Sequence, residues 1–477
     1  MARIETDYLV VGGGATGLAF ADTLIAEDGR AHVTIVERRA TPGGHWVDAY
    51  PFVTLHQPSA FYGVASTVLG SGRVDASGRN AGLLELASGT EILDYYDRVV
   101  RERLLASGRV DWRPLSDWRF DERRIVCLLT GAPTEVVVRR RVVDARYLSP
   151  SIPATHVRPF AVDEGARVVP PGALADLWRA AGDGPPARFA ILGGGKTAMD
   201  TAVWLLERGV PAAAITWVVP RDAWLLDRVQ TQPGEAFFEQ TIGGQAAQMA
   251  AWASATSVDD LFDRLEACGT VLRIDRSRRP TMFHLATVSR GEVAMLATIG
   301  DVVRLGHVRR VAADGLELER GRVALPAGTL CVDCTASAVE RRPLRPIFTE
   351  GLIVPQLVRL PQPTFSAALI AFVEARYGDD AERNRLCRTV PFPWTLGEYP
   401  AALLAHLSNQ HAWSQDKALR AWMRDCRLDG FGRLIAAVRP DDAAKQAILG
   451  RLREHAGPAV QNLARLAAAA GRAVTRA

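Results

Sequence analysis

The sequence predicts an α/β chain with two doubly wound, dinucleotide-binding units and a mostly helical C-terminal region. Three observations carry this. A short apolar strand, a Gly-x-Gly-x-x-Gly turn, a helix and a second strand open the chain. A second unit of the same order starts at Phe189. From Pro361 onward the pattern is helical to the end. Strands alternating with helices favour a parallel sheet covered on both faces, the Rossmann-like arrangement.

Asp7 to Val11 is the first strand, Ala15 to Ala26 the helix and His32 to Glu37 the second strand. Residues 40–75 are rich in Gly, Pro and aromatics and read as structured loop. A helix is expected over 90–106 and a β-rich meander over 110–150, ending in Arg141 to Ala145. In the second unit Phe189 to Leu192 is the strand, and Thr201 to Arg208 continues a helix that Gly209 stops. Ala214 to Val219 is the next strand. A helical insertion is expected at about 235–268, introduced by Pro233 and Gly234. Strands return over Val302 to Val311, Leu316 to Leu325 and Leu330 to Cys334. Val460 to Val474 is Ala-rich and amphipathic, a helix that packs on the protein's own surface. The expected units are therefore 1–165 with 329–360, an inserted unit over 166–328, and the helical region 361–477.

With 477 residues the chain is long enough for two or three domains. Apolar residues make up 48% and charged residues 23%, which excludes a disordered chain. A net charge of +4 gives no reason to expect nucleic acid or an anionic membrane as partner. No apolar run reaches the length of roughly 20 residues that a membrane span needs. The N-terminus runs straight into a strand without the pattern of a signal peptide. Six cysteines lie scattered, apart from Cys331-Val332-Asp333-Cys334, so a reducing cytoplasm fits. On a strand, positions i and i+3 point to opposite faces. Cys331 and Cys334 therefore read as small core residues, not a redox pair. No metal site is expected. Basic charge is almost all arginine; the only lysines are Lys196, Lys417 and Lys445.

Gly12-Gly13-Gly14-Ala15-Thr16-Gly17 is the first turn. Its first glycine makes the tight turn, the second lets the backbone approach a pyrophosphate, and the third lets helix and strand pack closely. The helix start, with Gly12, Gly14, Ala15, Thr16 and Gly17, then meets the phosphates with free N–H groups and a favourable dipole. Glu37 ends the next strand, where a carboxylate accepts hydrogen bonds from a ribose diol; Arg38 follows it. The alternative is a glycine-rich turn with no ligand.

Gly193-Gly194-Gly195-Lys196-Thr197-Ala198 is the second turn. Alanine in its last place is common where the dinucleotide is NADP. The following strand runs into Pro220-Arg221-Asp222 and does not end in an acid. Arg221 would hold a 2′-phosphate bidentately. Gly193, Gly195, Lys196 and Thr197 are candidate contacts to the phosphates, although Lys196 also reads as a solvated surface charge. Asp222 is the argument for NADH. NADPH is favoured, with NADH possible.

After Glu37 come Thr41-Pro42-Gly43-Gly44-His45-Trp46 and then Tyr50-Pro51, Pro58-Ser59 and Tyr62. This stretch resembles the flavin-containing and Baeyer–Villiger flavoprotein monooxygenases, whose members carry a glycine pair and a tryptophan after the ribose-binding acid. The resemblance implies FAD at the first turn, wrapped by Gly44, His45, Trp46, His56, Gln57 and Tyr62. His56 stands where the Baeyer–Villiger enzymes place an aspartate. The physical reason is independent: glycines let the backbone pass a flat ring, and a Trp and a Tyr wall it from water. Asp333-Cys334-Thr335-Ala336 resembles the strand that returns to the FAD domain in this superfamily, which makes Asp333 and Thr335 candidate FAD contacts. Val143-Asp144-Ala145 resembles an earlier copy of it.

The resemblance implies an FAD domain with an NADP domain inserted in it. It implies an oxidoreductase in which NADPH reduces FAD, and a flavin hydroperoxide then oxygenates a small organic substrate with dioxygen. Two alternatives stay open: an FAD-dependent reductase or dehydrogenase without oxygen insertion, and a non-enzymatic FAD-binding redox protein. No catalytic side chain is identified. Arg228, Gln230, Gln232, Arg279 and His284 are positional candidates for the border of a substrate pocket. The sequence does not specify the substrate or the oligomeric state.

Overall fold

The computed structural model describes residues 2–179, 186–337 and 339–474. Strand β1 (Ala2–Val11) runs through the middle of the first sheet, and its residues from Thr6 to Val11 are all buried. Its Tyr8–Val11 stretch is continuously apolar because both faces are covered. Helix α1 (Ala15–Glu27) crosses over to β2 (Val33–Val36), which pairs parallel with β1. Helix α2 (Gly89–Arg98) starts at a capping box between Ser88 and Glu91. Strand β3 (Val110–Arg113) extends the sheet beyond β2. The meander is β4 (Ser116–Arg119), β5 (Arg124–Cys127) and β6 (Pro133–Asp144); β6 returns parallel to β1.

The second unit begins with β7 (Ala161–Val162), β8 (Val168–Val169) and α3 (Ala173–Arg179). Strand β9 (Phe189–Leu192), helix α4 (Lys196–Glu207) and β10 (Ile215–Val218) are its βαβ unit. Strand β11 (Leu225–Asp227) precedes the insertion, which is helical as expected: α5 (Gly244–Ser254) and α6 (Val258–Ala267). Then follow β12 (Val271–Leu272), β13 (Thr287–Val288), α7 (Arg290–Leu296) and β14 (Val302–Val303).

Two expected strands are broken, each at a glycine with positive φ. Val302 to Val311 divides at Gly306 (φ +85°): β14 stays in the second sheet and β15 (Val308–Ala312) joins a separate four-stranded sheet. Leu316 to Leu325 is a hairpin, β16 (Gly315–Leu318) and β17 (Gly321–Ala324), turning at Gly321 (φ +143°). A side chain rarely adopts such a φ, so the glycines mark turns that apolar content alone hides.

Strand β18 (Leu330–Asp333) corrects a boundary. It does not return to the first sheet but lies in the second, parallel to β9 and β8, in the order β14-β10-β9-β18-β8. All its residues are buried between the layers. The chain re-enters the first sheet with β19 (Phe348–Thr349) and β20 (Leu352–Ile353), the latter parallel to β6.

The C-terminal region is helical: α8 (Pro363–Arg376), α9 (Asp380–Leu386), α10 (Tyr399–Gln415), α11 (Lys417–Asp425), α12 (Gly432–Ala436) and α13 (Ala443–Val474). Helix α8 packs on α1 behind the first sheet. Helix α13 lies against α5 and α10, burying Leu463 and Leu466. Trp224, Phe262, Phe283 and Tyr399 form an aromatic core that ties the insertion to this helical region.

Candidate functional site

At the end of β1 the first turn is built from glycines that have different jobs. Gly12 has φ +108°, which favours glycine. A methyl group on Gly17 would collide with the Gly12 carbonyl oxygen, so this glycine lets α1 pack on β1. Gly14 lies back to back with Gly44, its Cβ position 3.3 Å from the Gly44 Cα. Helix α1 begins without a side-chain cap, leaving the N–H groups of its first turn for an anion. Glu37 is buried, and its Oε2 accepts a hydrogen bond from the Gly13 amide at 2.7 Å. Its Oε1 accepts the Arg39 amide at 2.8 Å.

This turn opens on a cleft of about 1090 Å³. Gly12, Gly14, Ala15 and Thr16 form its floor, with Glu37 and Arg38 at one end. Gly44, His45 and Trp46 line one wall; His56, Gln57 and Tyr62 lie further along. The Trp46 indole N–H donates to the Tyr62 hydroxyl at 2.6 Å, and the rings meet edge to face at 6.0 Å. Burial pushes the Tyr62 hydroxyl up to about 12. Burial, with Arg39 beside it, pushes His45 down to about 4. The segment Asp144 to Pro153 closes the cleft from the other side, together with Leu285, Thr287, Pro361 and Pro363. The structure thus gathers thirteen of the expected residues here, Thr197 of the second turn among them; Gly17 is a packing glycine.

The second turn repeats the logic. Gly193 has φ +123°, and a methyl group on it would come within 2.6 Å of the Cys334 carbonyl oxygen. Gly195 is different: no protein atom lies within 4 Å of its Cβ position, and it leads into α4 without a side-chain cap. Packing therefore does not explain Gly195. A second cleft of about 460 Å³ adjoins this turn, lined by Gly194, Val219, Asp222, Arg273, Arg276 and Arg304, among others. Both Asp222 oxygens accept from Arg304, at 2.9 and 3.1 Å. Arg273 is held by Glu266 at 2.7 and 2.8 Å. Arg276 is exposed on the rim, with no ion pair among the described residues. Arg221 is exposed and does not line the cleft. Burial, together with the Arg221 charge, pushes His284 down.

Lys196 is neither a solvated surface charge nor aimed at the cleft of its own turn. Its side chain is 9% exposed and pairs with Asp200 and, at 3.4 Å, with Glu292. Arg228, fully buried, donates to Glu292 at 2.6 Å, to the His56 carbonyl at 2.8 Å and to the Asn80 side chain at 3.0 Å. Tyr50 donates its hydroxyl proton to Asp200 at 2.8 Å. Burial alone would raise the Glu292 carboxyl, but Lys196 and Arg228 bring it down to about 2. Asp200 and Glu292 had no motif to announce them; the one available signal was the rarity of lysine.

Asp333 and Thr335 need correcting with their strand. Asp333 is buried at the end of β18, where it accepts from His156 at 2.9 Å and from the Thr335 amide at 3.1 Å. It anchors the segment linking the two sheets and lines neither cleft. The earlier copy is where it was expected: β6 ends at Asp144 in the first sheet, and Ala145 and Arg146 lie against Gly12. The positional candidates for a substrate pocket also move. Arg228 is in the buried cluster, Gln232 bonds Leu84 and Arg228, and Arg279 pairs with Asp263. Gln230 bonds the Gly269 carbonyl, and His284 packs against Phe392 and Trp394. None of the five lines the large cleft; Leu285 and Thr287 do. Cys331 and Cys334 are buried and free, and burial pushes both thiols up to about 12. Among the described residues no group of side chains is arranged to hold a metal, and no helix is long and apolar enough to cross a membrane.

A family profile described as an NAD(P)-binding Rossmann-like domain matches residues 10–55. Over 467 residues the chain is 42% identical to Uncharacterized protein Rv2000 of Mycobacterium tuberculosis (strain ATCC 25618 / H37Rv), covering 98% of this chain and 85% of that protein. The figures are the same for Uncharacterized protein Mb2023 of Mycobacterium bovis. Among solved structures, it is similar to a flavin-containing monooxygenase from Stenotrophomonas maltophilia, at 16% identity and TM-score 0.42, over 79% of this chain and 98% of that one. It is also similar to an open form of cyclohexanone monooxygenase, at 14% identity and TM-score 0.47, over 80% and 92% of the two chains.

Proposed function

The chain belongs to the family of these mycobacterial proteins, and we propose that it is an FAD-dependent oxidoreductase reduced by NADPH, acting as a monooxygenase on a small organic substrate. One observation carries the reading: Thr197, two residues past Gly195 of the second turn, lines the same cleft as Trp46, His56 and Tyr62 of the first. A dinucleotide laid over the second turn therefore reaches the cleft that begins at the first. Two separate binding proteins fused in one chain would have no need of that meeting.

The residues present fit both groups. The first turn, with Gly14 against Gly44 and an uncapped α1, makes a cradle that a side chain would fill, and Glu37 is fixed at its end for a ribose diol. Gly195 and the uncapped start of α4 do the same at the second turn. When bound, the flavin supplies the redox chemistry, taking electrons from the nicotinamide and passing them to dioxygen. The protein's part is to bind, orient and exclude water. Trp46 and Tyr62 wall the cleft and hold each other through one hydrogen bond. His56 presents its partly exposed ring to the cleft, where partial burial and the Lys196 charge lower its imidazole below the ordinary value against the pull of Asp200. All six cysteines are free and none lines the large cleft, which disfavours a dithiol reductase and suits a reducing cytoplasm.

The test is oxygen uptake by the FAD-loaded protein with NADPH and a panel of small ketones, amines and sulfides. Oxygen consumed in step with an oxygenated product supports the proposal. Oxygen returned quantitatively as peroxide with every compound, alongside rapid reduction of an added electron acceptor, makes the protein a reductase without oxygen insertion.

A further inference from the structure

The buried cluster joins the two units at the large cleft. Its parts come from far apart: Tyr50 and His56 from the segment after the first βαβ unit, Lys196 and Asp200 from the first turns of α4, Arg228 from the stretch after β11, and Glu292 from α7. Lys196 and Asp200 are spaced i, i+4, so they share one face of the helix. One oxygen of Asp200 takes Lys196; the other takes the Tyr50 hydroxyl at 2.8 Å and stands 3.8 Å from the His56 ring Nε2. Arg228 fixes the His56 backbone from behind through its carbonyl. Charges in and around the cluster balance, Lys196, Arg228 and Arg79 against Asp200, Glu292 and Glu207.

Burying four charges costs several kcal/mol each before pairing, and well-packed apolar residues often serve stability as well or better. Two members of the cluster's shell, Tyr50 and His56, line the cleft, and the His56 side chain is 40% exposed into it. The groups facing His56 are Lys196, Arg228, Asp200 and Glu292, two of each sign. The cations push its ring toward the neutral form and the carboxylates oppose them.

We propose that Lys196 and Asp200 are positioning residues for the large cleft: although carried by the second dinucleotide unit, Asp200 holds the Tyr50 hydroxyl and faces the His56 ring with the same oxygen while Lys196 fixes its other oxygen, so the pair sets two cleft-lining side chains toward the ligand in the first. This rests on the large cleft being the FAD site. It gives Lys196, at the start of the helix of the second turn, a role in the first.

The experiment is a pH titration of the FAD-loaded protein carrying ¹³C-labelled histidine, with His56 assigned by the loss of its signal in H56Q. In the unsubstituted protein His56 titrates well below an ordinary imidazole. K196M, which removes a cation, moves its midpoint up by about one pH unit, D200N, which removes an anion, moves it further down, and K196R restores it. Opposite shifts with FAD still bound are a signature that loose packing alone does not produce. The inference is overturned if both variants shift His56 the same way, or leave it unmoved, while FAD stays bound. Failure of the unsubstituted protein to take up FAD would instead overturn the functional reading beneath it.

Discussion

The Glu37 carboxylate and the Gly13 amide are joined by a 2.7 Å hydrogen bond, so the acid at the end of β2 is locked to the turn at the end of β1. This makes the proposed ribose acceptor and phosphate cradle one connected piece. Replacing Glu37 with Ala leaves the buried Gly13 amide and the half-buried Arg39 amide without an acceptor, at a cost of about 1–3 kcal/mol. E37A is expected to lower the melting temperature and to weaken FAD binding roughly 10–100-fold. Thermal melts and FAD titration followed by flavin fluorescence check both.

Gly17 and Gly195 separate packing from binding. A methyl group on Gly17 meets the Gly12 carbonyl oxygen, whereas one on Gly195 meets nothing within 4 Å. G17A is expected to lose both stability and FAD. G195A is expected to melt like the unsubstituted protein and to lose affinity for NADP⁺, measured by calorimetry. Full NADP⁺ affinity in a folded G195A would mean that no dinucleotide lies over that turn.

In the second cleft Arg304 occupies Asp222, Glu266 occupies Arg273, and Arg276 remains uncommitted among the described residues. A lone cation on the rim suits a 2′-phosphate better than a bare ribose. R276A is expected to weaken NADP⁺ binding about tenfold with little effect on NAD⁺, and to do so more than R221A. Paired titrations with the two nucleotides decide it.

Glu292, held at about 2 against an ordinary 4.5, makes the join between the units acid-labile. A carboxyl whose folded value is lowered contributes stability above its unfolded value and loses it as pH falls through the folded one. The stability contributed by Glu292 is thus complete above about pH 4.5 and declines toward pH 2. E292Q is expected to melt lower than the unsubstituted protein at pH 7, with the gap narrowing on acidification to pH 3. A gap independent of pH would show that the carboxylate charge is not what matters.

What the sequence disclosed was local. The turn from Gly12 to Gly17 and the place of Glu37 were legible because strand, turn, helix and strand are contiguous, but only Gly17 answers to an atom a few residues away; Gly13 meets Trp112 and Gly14 meets Gly44. What it concealed depended on pairing at a distance. Asp144 and Asp333 both end strands and look alike in sequence; only the sheets they join, β6 beside β1 and β18 beside β9, tell them apart. Gly306 and Gly321 broke segments that had read as single strands. Lys196 stood out by rarity, yet Glu292 and Arg228, which determine its surroundings, lie in elements that no motif marks.

The central claim is that one cleft takes electrons from a nucleotide on the second turn into a flavin on the first. The most direct test is the visible absorption spectrum of the pure, FAD-supplemented protein before and after anaerobic addition of NADPH. A bound flavin spectrum that bleaches with NADPH and returns in air is the predicted result. A protein that stays colourless after FAD is offered, or whose bound flavin NADPH does not bleach, would contradict the account.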